Sequence, residues 1–132
     1  MISHKEIFLK KFNEAFARGD FEYILNCVTD DIRWNMIGDK IIEGKKAFTK
    51  ALHEMENESP MELSIHNIIT HGDMAAVNGT IRSHGKKWYG FCDIYKVLGY
   101  KNPQIQEMTS YVIEVNGEHQ HQKLRVSNYE KS

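Results

Sequence analysis

An excess of positive charge and a long apolar run are both missing from this chain. Its 132 residues contain 17 Lys and Arg against 18 Asp and Glu, which gives a formal net charge of −1. Without surplus basic residues the chain cannot neutralise many phosphates, so we expect neither a nucleic-acid partner nor a membrane surface. No apolar run approaches the roughly 20 residues that span a bilayer. The charged N-terminal stretch contains no apolar signal-peptide region, so we expect a cytoplasmic protein.

Cysteine and motifs that carry known chemistry are also scarce. Cys27 and Cys92 show neither metal-ligand spacing nor a CxxC motif, and each lies in an apolar stretch, which predicts two reduced core thiols. His119 and His121 would share one face of a strand, but no third ligand is near them, so no metal site is predicted. There is no nucleophile elbow, phosphate-binding glycine loop or HExxH motif, and we expect no cofactor.

The periodicity that is present predicts one α+β domain. A capping box formed by Ser3 and Glu6 begins a first helix, and Gly19 ends it. Asp20 can cap a second short helix, and Gly44 begins a third. Between the last two helices, Ile32, Trp34 and Met36 alternate with polar residues as in a half-buried strand, and Ile41 and Ile42 form a short extended return.

After Pro60 the periodicity changes to that of strands, with turns at glycine-containing stretches. The predicted strands are Leu63–Thr70, Met74–Ser83, Lys87–Leu98 and Ile105–Val115. We therefore predict a domain over residues 1–117. Residues 118–132 form a polar tail, for which we expect a short edge strand or partial disorder.

One predicted strand places a carboxylate among aromatic rings. Alternation puts Tyr89, Phe91, Asp93 and Tyr95 on the same face. Burial there would raise the pKa of Asp93 and make it a candidate catalytic general acid or base. The alternative is a structural aspartate that pairs with an arginine or caps a backbone amide.

Aromatic residues make up 11% of the chain, enough to line an internal pocket. Such stripes more often form a plain core, and that alternative stays open for the first helix and the first strand. The predicted ligand-binding residues are Phe12, Phe16, Trp34, Met36, Tyr89, Phe91, Tyr95 and Met108.

The order of these elements resembles the nuclear transport factor 2-like superfamily, in particular its SnoaL-like branch, over roughly residues 3–115. The stretches that carry the resemblance are FNEAFARGDFEYILNCVTDDIRWNMIG, IIEGKKAFTKAL, THGDMAAVNGTI, FCDIYKV and IQEMTSYVIEV. The resemblance implies a cone-shaped roll: N-terminal helices packed on a strongly curved antiparallel sheet that encloses a pocket. It also implies a small hydrophobic ligand and a homodimer formed through the outer face of the sheet.

The sequence itself favours that dimer. The last strands carry apolar residues on both faces, since Cys92 and Ile94 oppose Phe91 and Tyr95, and Tyr111 and Ile113 oppose Val112. If one face lines the pocket, the other is an exposed apolar patch of the kind that marks an interface. The predicted partner there is a second copy of the chain.

The fold of this superfamily hosts isomerases, cyclases, hydrolases and binding modules, so function transfers only residue by residue. The base of ketosteroid isomerases aligns with Met36 or Asn35, and their tyrosine donor aligns with Phe12, so steroid isomerisation is not expected. Asp93 aligns with an acidic residue of the isomerases and the polyketide cyclases. The two carboxylates and arginine of limonene epoxide hydrolase cannot be placed.

Two functions stay open. In one, Asp93 moves a proton on a hydrophobic carbonyl compound while Tyr95 or Tyr89 bonds the substrate oxygen. In the other, the domain is a non-catalytic, dimeric ligand-binding or protein-interaction module.

Overall fold

Three helices pack on one mixed sheet in the computed structural model, which describes residues 3–115. Within this range no helix is long and apolar enough to cross a bilayer. The polar tail predicted over residues 118–132, with His119 and His121, lies outside the described residues. In chain order the elements are α1 (His4–Arg18), α2 (Phe21–Asn26), β1 (Val28–Met36), β2 (Lys40–Glu43), α3 (Lys45–Glu54), a short 3-10 helix (Glu56–Glu58), β3 (Met61–His71), β4 (Met74–Ser83), β5 (Trp88–Leu98) and β6 (Gln104–Glu114).

The helix ends follow the predicted capping. The Glu6 amide donates to Ser3 Oγ at 3.1 Å, and the Ser3 amide donates to Glu6 Oε1 at 2.9 Å, which completes the capping box. Gly19 ends α1 in the left-handed region at φ 80°, where a side chain would be strained. Asp20 caps α2 by accepting from the Tyr23 amide at 3.3 Å. These local contacts fix the turn that joins α1 to α2.

The sheet has the strand order β2-β1-β6-β5-β4-β3. The predicted antiparallel pairing is confirmed for β3 to β6, and the predicted limits of these strands differ from the observed ones by two residues or fewer. One neighbouring pair, β1 and β6, runs parallel, and it sets Trp34 beside Met108. Nothing in the periodicity predicted this pairing, which joins strands far apart in the chain.

The helices cover only one side of the sheet, which we call the inner face. Helix α1 packs against β3, and α3 packs against β1 and β2. Phe91, Asp93 and Tyr95 of β5 lie on the inner face, and Cys92 and Ile94 lie on the opposite, outer face. This α+β architecture is consistent with the predicted cone-shaped roll.

Candidate functional site

A cavity of about 290 Å³ lies between α1 and the inner face of the sheet. That volume is at the low end of the range for small-molecule sites. Most of its wall is aromatic or aliphatic, with a few polar groups. The lining residues are Phe12, Asn13, Phe16, Trp34, Met36, Ile37, Asp39, Met55, Ile81, Phe91, Asp93, Tyr95, Met108, Ser110 and Val112.

Asp93 and seven of the eight predicted ligand-binding residues share this cavity, and Tyr89 does not. Tyr89 stands opposite Ile81 and Glu114 near the start of β5 and is 37% exposed. Strand parity placed Tyr89 on the inner face correctly, but the cover of the helices does not reach that end of the strand. Instead, Tyr89 borders a separate surface groove beside Lys86 and Lys87. It is therefore removed from the candidate site.

The carboxylate of Asp93 lines the interior of the cavity. Its Oδ2 accepts a hydrogen bond from Tyr95 Oη at 3.2 Å, and Ser110 stands opposite it on the neighbouring strand, where its hydroxyl opposes the rise in the pKa of the carboxyl. No salt bridge to Asp93 is found among the described residues. Burial raises the pKa of Asp93 from the ordinary 3.8 to about 6, against the opposing effect of the two hydroxyls. Among the described residues, Asp93 therefore has no arginine partner, which was one of the two forms of the structural alternative.

Tyr95 connects Asp93 to the first helix. Its side chain is completely buried, and Asn13 Nδ2 donates to its hydroxyl at 3.2 Å. The same Nδ2 donates to the Leu9 carbonyl at 2.9 Å. Burial, followed by the nearby Asp93 charge, raises the pKa of Tyr95 well above its ordinary value, so Tyr95 stays protonated. The phenol is a hydrogen-bond donor to Asp93, not a proton source.

Trp34 forms another wall and is both core and cavity lining. It is 5% exposed, packs edge-to-face on Phe16, and lies against Phe48 with ring centroids 5.6 Å apart. Its indole Nε1 donates to Ser110 Oγ at 2.9 Å, across the parallel pair β1 and β6. This bond satisfies the one polar atom of a buried indole.

The mouth of the cavity is marked by its exposed lining residues, Ile37, Asp39 and Val112. Asp39 is a second carboxylate, but no Lys, Arg or His lines the described cavity. The two-carboxylate and arginine set of an epoxide hydrolase is therefore incomplete here. Among residues 3–115, no group of three or more His, Cys, Asp and Glu side chains could hold a metal ion.

Sequence reasoning expected a tyrosine hydroxyl beside Asp93, but it missed Asn13, Ser110 and Asp39. Asn13 lies four residues after Leu9 on the buried stripe of α1, and a polar residue on an apolar stripe is the signal that could have found it. Ser110 shares strand parity with Met108, which was predicted. Asp39 lies in the turn after β1, and nothing in the pattern marked that turn as the mouth of a cavity.

Comparisons with known proteins place these features among related folds. The profile of the SnoaL-like domain matches residues 9–108. An NTF2-like protein of unknown function from Cytophaga hutchinsonii is 28% identical, with a TM-score of 0.64 over 79% of this chain and 95% of that chain. No curated protein matches this sequence.

Two more distant structures show the same fold. An LEH-like epoxide hydrolase from M. tuberculosis is 20% identical, with a TM-score of 0.67 over 79% of this chain and 78% of its own. A candidate SnoaL-like polyketide cyclase from Shewanella putrefaciens is 12% identical, with a TM-score of 0.70 over 83% of this chain and 79% of its own.

Proposed function

The chain belongs to the SnoaL-like domain family, and from that premise we propose that it binds a small hydrophobic molecule and that Asp93 exchanges a proton with it. The observation that carries this proposal is one carboxylate enclosed in an apolar cavity with no cation in the described lining. Such a carboxylate is costly for a structural role, whereas it suits acid–base chemistry. The enzymes among the structural neighbours support a catalytic use of the cavity, because they are a candidate cyclase and an epoxide hydrolase.

The chemistry that fits is removal of a proton from carbon beside a carbonyl group. With a pKa of about 6, Asp93 is mostly ionised at neutral pH yet remains a stronger base than an exposed aspartate. The C–H bond breaks, the proton passes to Asp93, and the electron pair moves onto the substrate's carbonyl oxygen. Return of the proton to the same or another carbon restores the carboxylate, so the cycle needs no cofactor.

Isotope exchange tests this proposal without knowledge of the natural substrate. We propose 2-tetralone in D₂O as the probe, because its benzylic C–H beside the carbonyl is acidic and its rings are apolar. The protein should speed exchange of these protons, followed by ¹H NMR. Asp93→Asn should lower the catalysed rate of exchange by a factor of about 100, the lower end of the contribution of a positioned base.

The matched control is Asp30→Asn, the same chemical change at a carboxylate whose side chain is 99% exposed. It should exchange the probe at the wild-type rate. Binding of the probe with equal exchange in wild type and Asp93→Asn would contradict the catalytic role. That result would favour a binding module. If neither 2-tetralone nor related ketones bind, both the catalytic role and the binding function are contradicted.

We also propose that a second copy of the chain covers the outer face of the sheet. A shallow groove there is bordered by Tyr111 and Ile113, which are 49% and 70% exposed, and its described lining contains no Asp, Glu, Lys or Arg. Gly90 leaves a gap between Thr80 and Ile113 in the same row of the sheet. The exposed side chains of Tyr111 and Ile113 beside the gap at Gly90 suit a two-fold contact between two copies. A net charge of −1 causes little repulsion between the copies.

Light scattering tests this interface. The expected mass is about twice 15.4 kDa at micromolar concentration. Ile113→Lys should yield monomers, whereas Ile7→Lys, at an exposed position on α1, should not. A monomeric wild-type protein would contradict the proposed dimer.

A further inference from the structure

The amide of Asn13 fixes the direction of the hydrogen bond between Tyr95 and Asp93. A backbone carbonyl only accepts, so the Asn13 atom that lies 2.9 Å from the Leu9 oxygen must be the NH₂ group. The same group donates to Tyr95 Oη, which leaves the phenol's own proton for Asp93 Oδ2 at 3.2 Å. Asn13 is 7% exposed and Tyr95 is completely buried, so water cannot offer Tyr95 another partner.

Trp34 acts on Ser110 in the same way. An indole N–H only donates, so Ser110 Oγ must accept at the 2.9 Å contact. The Ser110 proton then remains available for the Asp93 carboxylate, because Ser110 stands directly across the β5–β6 pair from Asp93 and its hydroxyl lowers the pKa of that carboxyl. Two independent sets of contacts, from α1 and from β1, therefore each leave a hydroxyl proton beside the same carboxylate.

From these directions we infer that Asn13 and Trp34 are positioning residues that commit Tyr95 and Ser110 to donate to Asp93, which makes Asp93 a proton acceptor and selects neutral ligands that bring a proton to it. This inference rests on the proposed function only for the presence of a ligand. The direction of the hydrogen bonds follows from the protein's own residues.

These hydrogen-bond directions restrict the class of ligand that fits the cavity. Tyr95 is directed at Asp93, so it is not available to stabilise a negative oxygen on the substrate, which was one role considered for it. A substrate must then stabilise its own carbanion, or a ligand must present an O–H or N–H to Asp93. Asp39 stands at the mouth, and no described lining residue is cationic, so anionic ligands meet only like charge. Besides Asp93, the titratable groups at the cavity are Tyr95 and Asp39, and the Cys92 thiol lies behind Asp93 on the outer face.

The sign of two pKa changes tests the direction of the bonds. If the hydroxyls donate to the charged carboxylate, Tyr95→Phe and Ser110→Ala each remove stabilisation of that form. The Asp93 midpoint, followed by ¹³C NMR, should then rise by about 1 pH unit in each variant. If a protonated Asp93 donated to the hydroxyls instead, both midpoints would fall, and that would overturn the inference. Tyr89→Phe, the same change on the same strand outside the cavity, should leave the midpoint in place.

Double variants test the positioning role. Asn13→Leu should raise the Asp93 midpoint in the wild-type background but not in Tyr95→Phe, because its effect passes through the phenol. Trp34→Phe should behave likewise with Ser110→Ala. Equal shifts in both backgrounds would show that Asn13 and Trp34 act on Asp93 by another route. The single variants at Tyr95 and Ser110 decide the direction even if the double variants fold poorly.

A comparison of three ligands tests whether Asp93 selects neutral ligands that donate a proton to it. We propose 2-phenylethanol, its methyl ether and phenylacetate as probes, titrated by NMR above pH 6, where Asp93 is ionised. The alcohol should bind about tenfold more tightly than the ether and the carboxylate, and Asp93→Asn should reduce that preference. Equal affinities for the three would overturn the donor requirement. If none binds, that requirement and the proposed binding function both fail, while the NMR midpoints still report whether the hydrogen bonds have the inferred direction.

Discussion

Replacing Asp93 by asparagine should stabilise the protein, and only where the aspartate is charged. Asparagine keeps the shape and an acceptor oxygen for the Tyr95 hydroxyl, and it removes the ionisable group. The folded pKa of Asp93 is raised from 3.8 to about 6, so folding favours its neutral form. A raised pKa contributes stability below the unfolded value, and that stability is lost as pH rises through the folded value.

The magnitude follows from the size of this shift. An increase of about 2 in pKa corresponds to ~3 kcal/mol of unfolding free energy, since each unit is worth 1.36 kcal/mol. The difference in stability between Asp93→Asn and wild type should therefore grow by ~3 kcal/mol between about pH 4 and pH 6 and then level off. A constant offset from altered hydrogen bonds adds equally at every pH and leaves this growth unchanged.

Urea unfolding of both proteins across this pH range measures the difference directly. Every other carboxylate is present in both proteins, so its contribution cancels in the comparison. Asp30→Asn, at an exposed position, is the control for the loss of one carboxylate. A difference for Asp93→Asn that stays flat, or that falls as pH rises, would refute the view of Asp93 as a destabilised buried carboxylate.

Three further substitutions test the packing. Trp34→Ala should cost about 3 kcal/mol in urea unfolding, the low end for a buried tryptophan, because one side of the ring faces the cavity; a loss near zero would place the ring in solvent. Gly79→Ala should cost more than ~2 kcal/mol, because its new Cβ would lie 2.0 Å from the Ser64 carbonyl oxygen. Gly90→Ala meets the Val115 side chain at 3.4 Å and Ile113 at 3.8 Å, which are ordinary contact distances, and should change the thermal midpoint little. Equal costs at the two glycines would contradict the close approach of β3 and β4.

Local signals predicted the elements well because each element carries its own chemistry. The capping box, the left-handed Gly19 and the alternation on β1 and β5 depend on neighbours within a few residues. The cavity was harder to predict, because it depends on which strands adjoin and on how far the helices reach. Tyr89 shows this limit: its parity is right, yet the strand extends beyond the covered part of the sheet.

The polar network escaped prediction for a related reason. Ser110 gains its role from the parallel pairing of β6 with β1, which brings Trp34 within hydrogen-bonding distance. Asn13 gains its role from a tyrosine 82 residues later in the chain. Periodicity reports which face a residue takes, but it carries no information on which distant strand will lie opposite.

The cost of Asp93 connects stability to function. A loss of ~3 kcal/mol is a large share of the 5–15 kcal/mol that hold a domain together. A neutral asparagine or serine could accept the hydrogen bond from the Tyr95 hydroxyl without that cost, so a purely structural role does not require a carboxylate. A ligand that donates a proton to Asp93 would stabilise the charged form and recover part of the loss. Such a ligand should therefore raise the thermal midpoint more above pH 6 than below pH 4, whereas a ligand held only by apolar contacts should raise it equally at both.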